Sequence, residues 1–131
     1  MVKNEETDKR KFLVRSFLGK TVDIVIDRPL GSFHPKYKSM VYSVNYGYIP
    51  NVFSDDREEL DVYLLGVDVP VKTYRATIIA VIHRLNDIED KLVASPEGMN
   101  FTADEIQKMV SFQEQYFVSE TELYEEGITK M

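Results

Sequence analysis

Short runs of β-type residues, each closed by a turn signal, recur through the first hundred positions and give way to one capped helix. This rhythm limits the fold more than any other feature. Thr21 to Asp27 alternates, with Val22, Ile24 and Ile26 on one side and Asp23, Val25 and Asp27 on the other, and Pro29 and Gly31 end the run. Val41 to Ile49 is rich in Val and Tyr and is interrupted by Gly47. Leu60 to Val67, Lys72 to Arg84 and Lys91 to Ala94 complete the set, with polar turns at Asp68–Pro70 and Asn86–Asp90 between them. Thr102 and Glu105 form a capping box, and Ile106, Met109, Val110, Gln113, Tyr116 and Phe117 follow at helical spacing. A second short helix is expected over Ser119 to Glu126, and an N-terminal one over Glu5 to Leu18, stopped at Gly19. The pattern predicts a mainly β fold: a small barrel with helices packed on its outside.

The chain has 131 residues, of which 44% are hydrophobic, so residues 1–131 are expected to form a single domain with a sizeable core. It has no Cys, which excludes disulfides and thiolate metal sites. Its start is polar, with no apolar run of signal-peptide or membrane-span length, so a cytoplasmic protein without membrane contact is expected. A net charge of −6 argues against a nucleic-acid partner, which calls for a basic face.

Chemistry is concentrated in two acidic stretches. Ser54-Asp55-Asp56-Arg57-Glu58-Glu59-Leu60-Asp61 is the densest carboxylate cluster. Hard cations such as Mg²⁺ take oxygen ligands. If Leu60 faces the core, Asp61 faces away from it. A solvated surface loop has the same composition, so density alone does not make a site. Asn86 to Lys91 is the second stretch, and its terminal Lys is of the kind that binds phosphate as a point charge. Gly31 to Tyr37 adds His34 and Lys36 in a glycine-containing turn, without the spacing of a nucleotide-binding loop. His83 falls within a strand and reads as structural.

The run Asn45-Tyr-Gly-Tyr-Ile-Pro50 followed by Asp56-Arg-Glu-Glu-Leu-Asp-Val62 resembles the soluble (family I) inorganic pyrophosphatases. The upstream Ile26-Asp27-Arg28-Pro29 with Lys36, the later turn Asp87 to Lys91 and Tyr116 on the terminal helix agree with that family in order. The resemblance covers roughly Val22 to Phe117. It implies an OB-like five-stranded β-barrel flanked by helices, and Mg²⁺-dependent hydrolysis of pyrophosphate to two phosphates, with Mn²⁺ as an alternative metal. Asp56, Glu58 and Asp61 are implied metal ligands, with Asp87 and Asp90 completing the cage and Asp27 near it. Glu58 would also orient or deprotonate the attacking water, with Asp61 and Tyr46 beside the reacting centre. Lys36, Tyr42, Lys91 and Tyr116 would hold phosphate oxygens. A homo-oligomer is implied by the same resemblance.

The chain also departs from that family. The middle acid of the loop is usually Asp and is Glu58 here. Phe117 replaces a phosphate-binding Lys, and Lys38 stands at a usually acidic position. The segment between Tyr37 and Tyr42 is too short for a hairpin that carries a phosphate-binding Arg. Arg28, Arg57, Arg75 and Arg84 are the arginines available to replace it. Two other readings therefore stand beside hydrolysis of pyrophosphate. One is a phosphohydrolase for another diphosphate-containing small molecule, and the other a metal- or phosphate-binding module without turnover.

Overall fold

Residues 11–53, 58–86 and 89–125 are described by the structure, a computed structural model. Helical residues 11–15 lead through a turn into β1 (Thr21–Arg28). Strands β2 (Asn45–Phe53), β3 (Glu59–Leu64), β4 (Thr73–Arg84) and β5 (Lys91–Ser95) follow, then a helix (Ala103–Glu114) and β6 (Ser119–Leu123). The sheet order is β1-β2-β3-β5-β4-β6, and β1 also pairs with β4. That extra pairing closes the first five strands into a barrel and leaves β6 as an outer addition to β4. All pairings are antiparallel except β3 with β5.

Period-2 alternation splits the apolar residues into two cores. Ile24, Ile26, Val62, Leu64, Ile78, Val81, Leu92 and Ala94 pack together, and Val14 from the N-terminal helical residues joins them. Their neighbours Tyr46, Tyr63, Leu65, Ala80, Ile82 and Val93 form a second cluster with Ile106 and Val110 of the helix. A register shift between Ile78 and Ala80 lets β4 serve both clusters along its length. Each fully buried Ile or Leu contributes about 1.5–3 kcal/mol. Thr102 caps the helix as expected: its hydroxyl accepts from Glu105 N at 3.1 Å, and the Glu105 carboxylate accepts from Thr102 N at 2.8 Å.

The Asn45-Tyr-Gly-Tyr-Ile-Pro stretch owes its composition to packing as much as to chemistry. The buried Asn45 amide accepts from Leu30 N at 2.9 Å and donates to Val69 O at 3.0 Å, tying two loops to β2. A Cβ on Gly47 would lie 1.9 Å from the carbonyl oxygen of Val25, so only glycine allows β1 and β2 this close approach. Pro50 lacks an N–H for the ladder and precedes Asn51, whose φ of 66° is left-handed; here the β2–β3 register shifts.

The expected helix over Ser119 to Glu126 is instead strand β6 as far as Leu123. It runs antiparallel along β4, from Ser119 opposite Arg84 to Leu123 opposite Ala80. An open sheet edge beside this segment supplies backbone partners that its local preference does not foresee. Strand β2 likewise starts later than expected, at Asn45, and runs through Pro50 to Phe53. Among the described residues, no helix is long and apolar enough to cross a membrane.

Candidate active site

A cleft of about 800 Å³ lies between the outer barrel face and the C-terminal end of the helix. Strand β3 contributes Asp61, which faces opposite to the buried Leu60 and Val62 as its parity requires. Strand β2 contributes Tyr46, and β1 contributes both Asp27 and Arg28. Consecutive residues of a regular strand face opposite sides. Here the β1–β2 register shifts between Ile26 and Arg28, and this bulge brings both side chains to one cleft. Glu89 enters from the turn before β5 and Lys91 from the first position of β5, while Gln113, Tyr116 and Phe117 close the helix side.

Lys91 organises the acidic wall. Its Nζ donates to Asp61 Oδ2 at 2.6 Å and to Glu89 Oε2 at 2.8 Å, with only 4% of its side chain exposed. Burial raises the Asp27 carboxyl above its ordinary pKa; the Arg28 charge opposes this, and the charges of Asp61 and Glu59 add to it. Burial holds the Tyr46 hydroxyl well above its ordinary pKa, and its hydrogen bond to the anionic Asp61 acts the same way. Tyr46 is therefore a proton donor at neutral pH.

The helix wall is a chain of buried hydrogen bonds. Arg84 grips Glu114 through Nε at 3.1 Å and Nη2 at 2.6 Å, and its guanidinium lies 3.6 Å from the centroid of the Phe117 ring. Tyr63 OH donates to Glu114 Oε2 at 2.6 Å, and Gln113 Nε2 donates to Tyr63 OH at 2.7 Å. Tyr42 OH donates to Gln113 Oε1 at 3.1 Å and accepts from Arg28 Nη1 at 3.0 Å. Burial presses the Arg84 pKa down, but the bond and charge of Glu114 outweigh it and hold it above the ordinary value.

Of the expected site residues, Asp27, Tyr42, Tyr46, Asp61, Lys91 and Tyr116 share this cleft. Asp90 does not line it. Its carboxylate accepts from Arg84 N at 3.3 Å and sits 3.1 Å from His83 Nδ1, on the far side of the strand end. Glu89 takes the cleft-facing place, and the spacing allows for it: Glu89 is two residues before Lys91, on the same face of an extended chain. Lys36 is exposed, with Nζ 5.6 Å from the Tyr37 ring centroid, and it does not line the cleft. Glu58 is exposed just before β3 and is not a lining residue either. Asp56 and Asp87 lie outside the described residues. Composition gave no hint of the scaffold roles of Gln113 and Glu114.

Among the described residues, no group of three His, Asp or Glu side chains is placed to hold a metal ion. The donor chemistry nevertheless fits a hard divalent cation. Asp27, Asp61 and Glu89 present only carboxylate oxygens to one cleft, and a lysine ammonium already lies between two of them.

The fold is shared with solved structures. The inorganic pyrophosphatase of Ehrlichia chaffeensis superposes with a TM-score of 0.64 at 19% identity, over 82% of this chain and 88% of that one. That of Coxiella burnetii gives 0.58 at 18% identity, over 86% and 91%. A curated relative, soluble inorganic pyrophosphatase 2 of Chlamydomonas reinhardtii, is 39% identical over 74 residues. That match spans 50% of this chain but only 38% of the relative's length. A sequence model described as inorganic pyrophosphatase matches residues 6–126, nearly the whole chain, and with the closed barrel this shows that the chain belongs to the inorganic pyrophosphatase family.

Proposed function

We propose that the chain hydrolyses inorganic pyrophosphate to two phosphates, using water activated by Mg²⁺, with Mn²⁺ as an alternative. One observation carries this reading: three carboxylates, two phenols and a lysine, from Asp27, Asp61, Glu89, Tyr46, Tyr116 and Lys91, face one cleft. Phosphoryl transfer asks little covalent chemistry of a protein and a great deal of charge and positioning. Asp27, Asp61 and Glu89 would hold the metal, together with Asp56, Glu58 and Asp87 from the two acidic loops. A metal bound there lowers the pKa of water and neutralises phosphate charge.

The chain's own groups then divide the work. By the resemblance, Glu58, three residues before the cleft residue Asp61 and itself outside the cleft lining, would orient the attacking water or take its proton. Lys91 neutralises phosphate oxygens while remaining bonded to the acidic wall. Tyr46, held protonated, donates to an oxygen at the reacting centre. Tyr116 steadies the far phosphate, Tyr42 frames it with its single O–H held by Gln113, and the exposed Lys36 adds positive charge outside the cleft. Cytoplasmic location and a homo-oligomeric assembly go with this reading.

A second reading rests on the substrate end of the cleft. His34, Tyr37, Met40, Val41 and Tyr42 line it, with the His34 and Tyr42 rings stacked at 6.1 Å. Such a wall suits a diphosphate that carries an organic group.

Phosphate release with Mg²⁺ and with Mn²⁺, from pyrophosphate and a panel of substituted diphosphates, tests both. We expect release from pyrophosphate that a chelator abolishes, and a fall of about a hundredfold or more in the E58Q/D61N double variant. Release no faster than that variant would overturn hydrolysis, and preference for a substituted diphosphate would favour the second reading.

A further inference from the structure

The three Lys and Arg residues that line the cleft differ in what holds their charge. Lys91 lies between the carboxylates of Asp61 and Glu89. Arg84 is bidentate on Glu114, and both side chains are almost wholly buried. Arg28 has no such carboxylate among the described residues. Its polar contact is with the neutral Tyr42 hydroxyl, at 3.0 Å, and its guanidinium lies 5.8 Å from that ring's centroid. A guanidinium carries five N–H donors, so most of them remain for a ligand.

Arg28 is also held in place. Tyr42 is buried, and its hydroxyl is fixed in turn by Gln113, which is bonded to Tyr63. The bulge after Ile26 aims Arg28 into the cleft beside Asp27 instead of away from it. A preorganised, half-buried fork without an anionic partner among the described residues is the arrangement that binds phosphate oxygens bidentately.

We infer that Arg28 is the principal phosphate-binding cation of this cleft, gripping the diphosphate from its place between Asp27 and Tyr42. This rests on the reading of the cleft as a diphosphate site. The phosphate oxygens it grips are already charged in the bound substrate, so the contact stabilises ground state and transition state alike, and its loss should appear in KM and not in kcat.

The test compares R28Q and R28K with the parent chain. It uses steady-state hydrolysis of pyrophosphate, and calorimetric titration with imidodiphosphate, a non-hydrolysable analogue. Thermal melts of each variant confirm that it is folded. R28Q is expected to raise KM and the analogue Kd by roughly 10- to 100-fold, with kcat changed less than about threefold. R28K, which keeps the charge but loses the fork, should recover part of the loss. A folded R28Q with KM and Kd within about twofold of the parent would overturn the role of Arg28 and leave hydrolysis standing. A parent chain that binds the analogue without turnover, and loses that binding in R28Q, would keep Arg28 and overturn hydrolysis. A parent chain that neither turns over pyrophosphate nor binds the analogue would overturn both.

Discussion

The two walls of the cleft are built from similar residue types and behave differently. On the acidic wall Asp27 is exposed and Asp61 and Glu89 are half-buried, while Lys91 and Tyr46 behind them are buried. On the helix wall Arg84, Glu114, Tyr63 and Gln113 are all buried, and each is bonded to another of the four. A polar network whose members satisfy one another in a dry interior is scaffold, because taking any member away strands the rest. A network with solvent-facing carboxylates keeps unused lone pairs for a ligand. Burial and completeness, more than residue type, separate the reagents of this cleft from its frame.

That contrast breaks most visibly at Glu114. E114A leaves the Arg84 guanidinium buried without its carboxylate, at a cost of about 3–5 kcal/mol. For a domain of this size, a melting temperature lower by more than about 10 °C is expected in calorimetry. By comparison, D61N should depress turnover and barely move the melt, because Lys91 retains Glu89. If E114A melts with the parent chain, the helix wall is not the frame described here.

Tyr63 sharpens the comparison at a smaller scale. Y63F keeps the ring in its apolar cluster but removes a hydroxyl that donates to Glu114 and accepts from Gln113. Leaving such groups without a partner costs about 1–3 kcal/mol. Urea unfolding should show this as a lower midpoint with an unchanged slope. A variant as stable as the parent would mean that Glu114 and Gln113 find other partners.

How far the sequence reveals this layout depends on the range of the interactions involved. Alternation from Thr21 to Asp27, β-type runs between turn signals for the other four barrel strands, and the Thr102–Glu105 pair at the helix start were readable because all these signals are local. β6 was not readable, since Ser119 to Leu123 takes its strand form from the free edge of β4, far away in sequence. In the site, the facing of Asp61 follows from strand parity, and Lys91 stands out as the lysine that ends an acidic turn. The placement of Arg28 beside Asp27 needs the bulge opposite Gly47 and Tyr46, and the choice of Glu89 over Asp90 depends on how the turn enters β5. Loop composition shows that carboxylates are present. It does not show which of them turn toward one another.

His83 and Arg84 extend the comparison to the two faces of one strand end. Arg84 keeps its charge at any accessible pH, whereas His83 titrates. His83 lies between two carboxylates, with Nδ1 3.1 Å from Asp90 Oδ2 and Nε2 2.8 Å from Glu122 Oε1. Only the imidazolium can donate to both. The bond to Asp90 therefore raises the His83 pKa above 6.5, burial and Lys11 oppose this, and Glu122 adds to it. At Glu122 burial pushes the pKa up, but bonds to Arg15 and His83 outweigh it and hold it below 4.5. A raised imidazole pKa stabilises the fold fully below 6.5, and this is lost as pH rises through the folded value. A lowered carboxylate pKa stabilises above 4.5, and this is lost as pH falls through the folded value. The network is thus complete between those limits. The melting difference between the parent chain and H83Q should be largest in mildly acidic buffer and shrink steadily as the pH becomes alkaline. A difference that stays constant across that range would show that His83 holds this edge by packing alone, with no contribution from its charge.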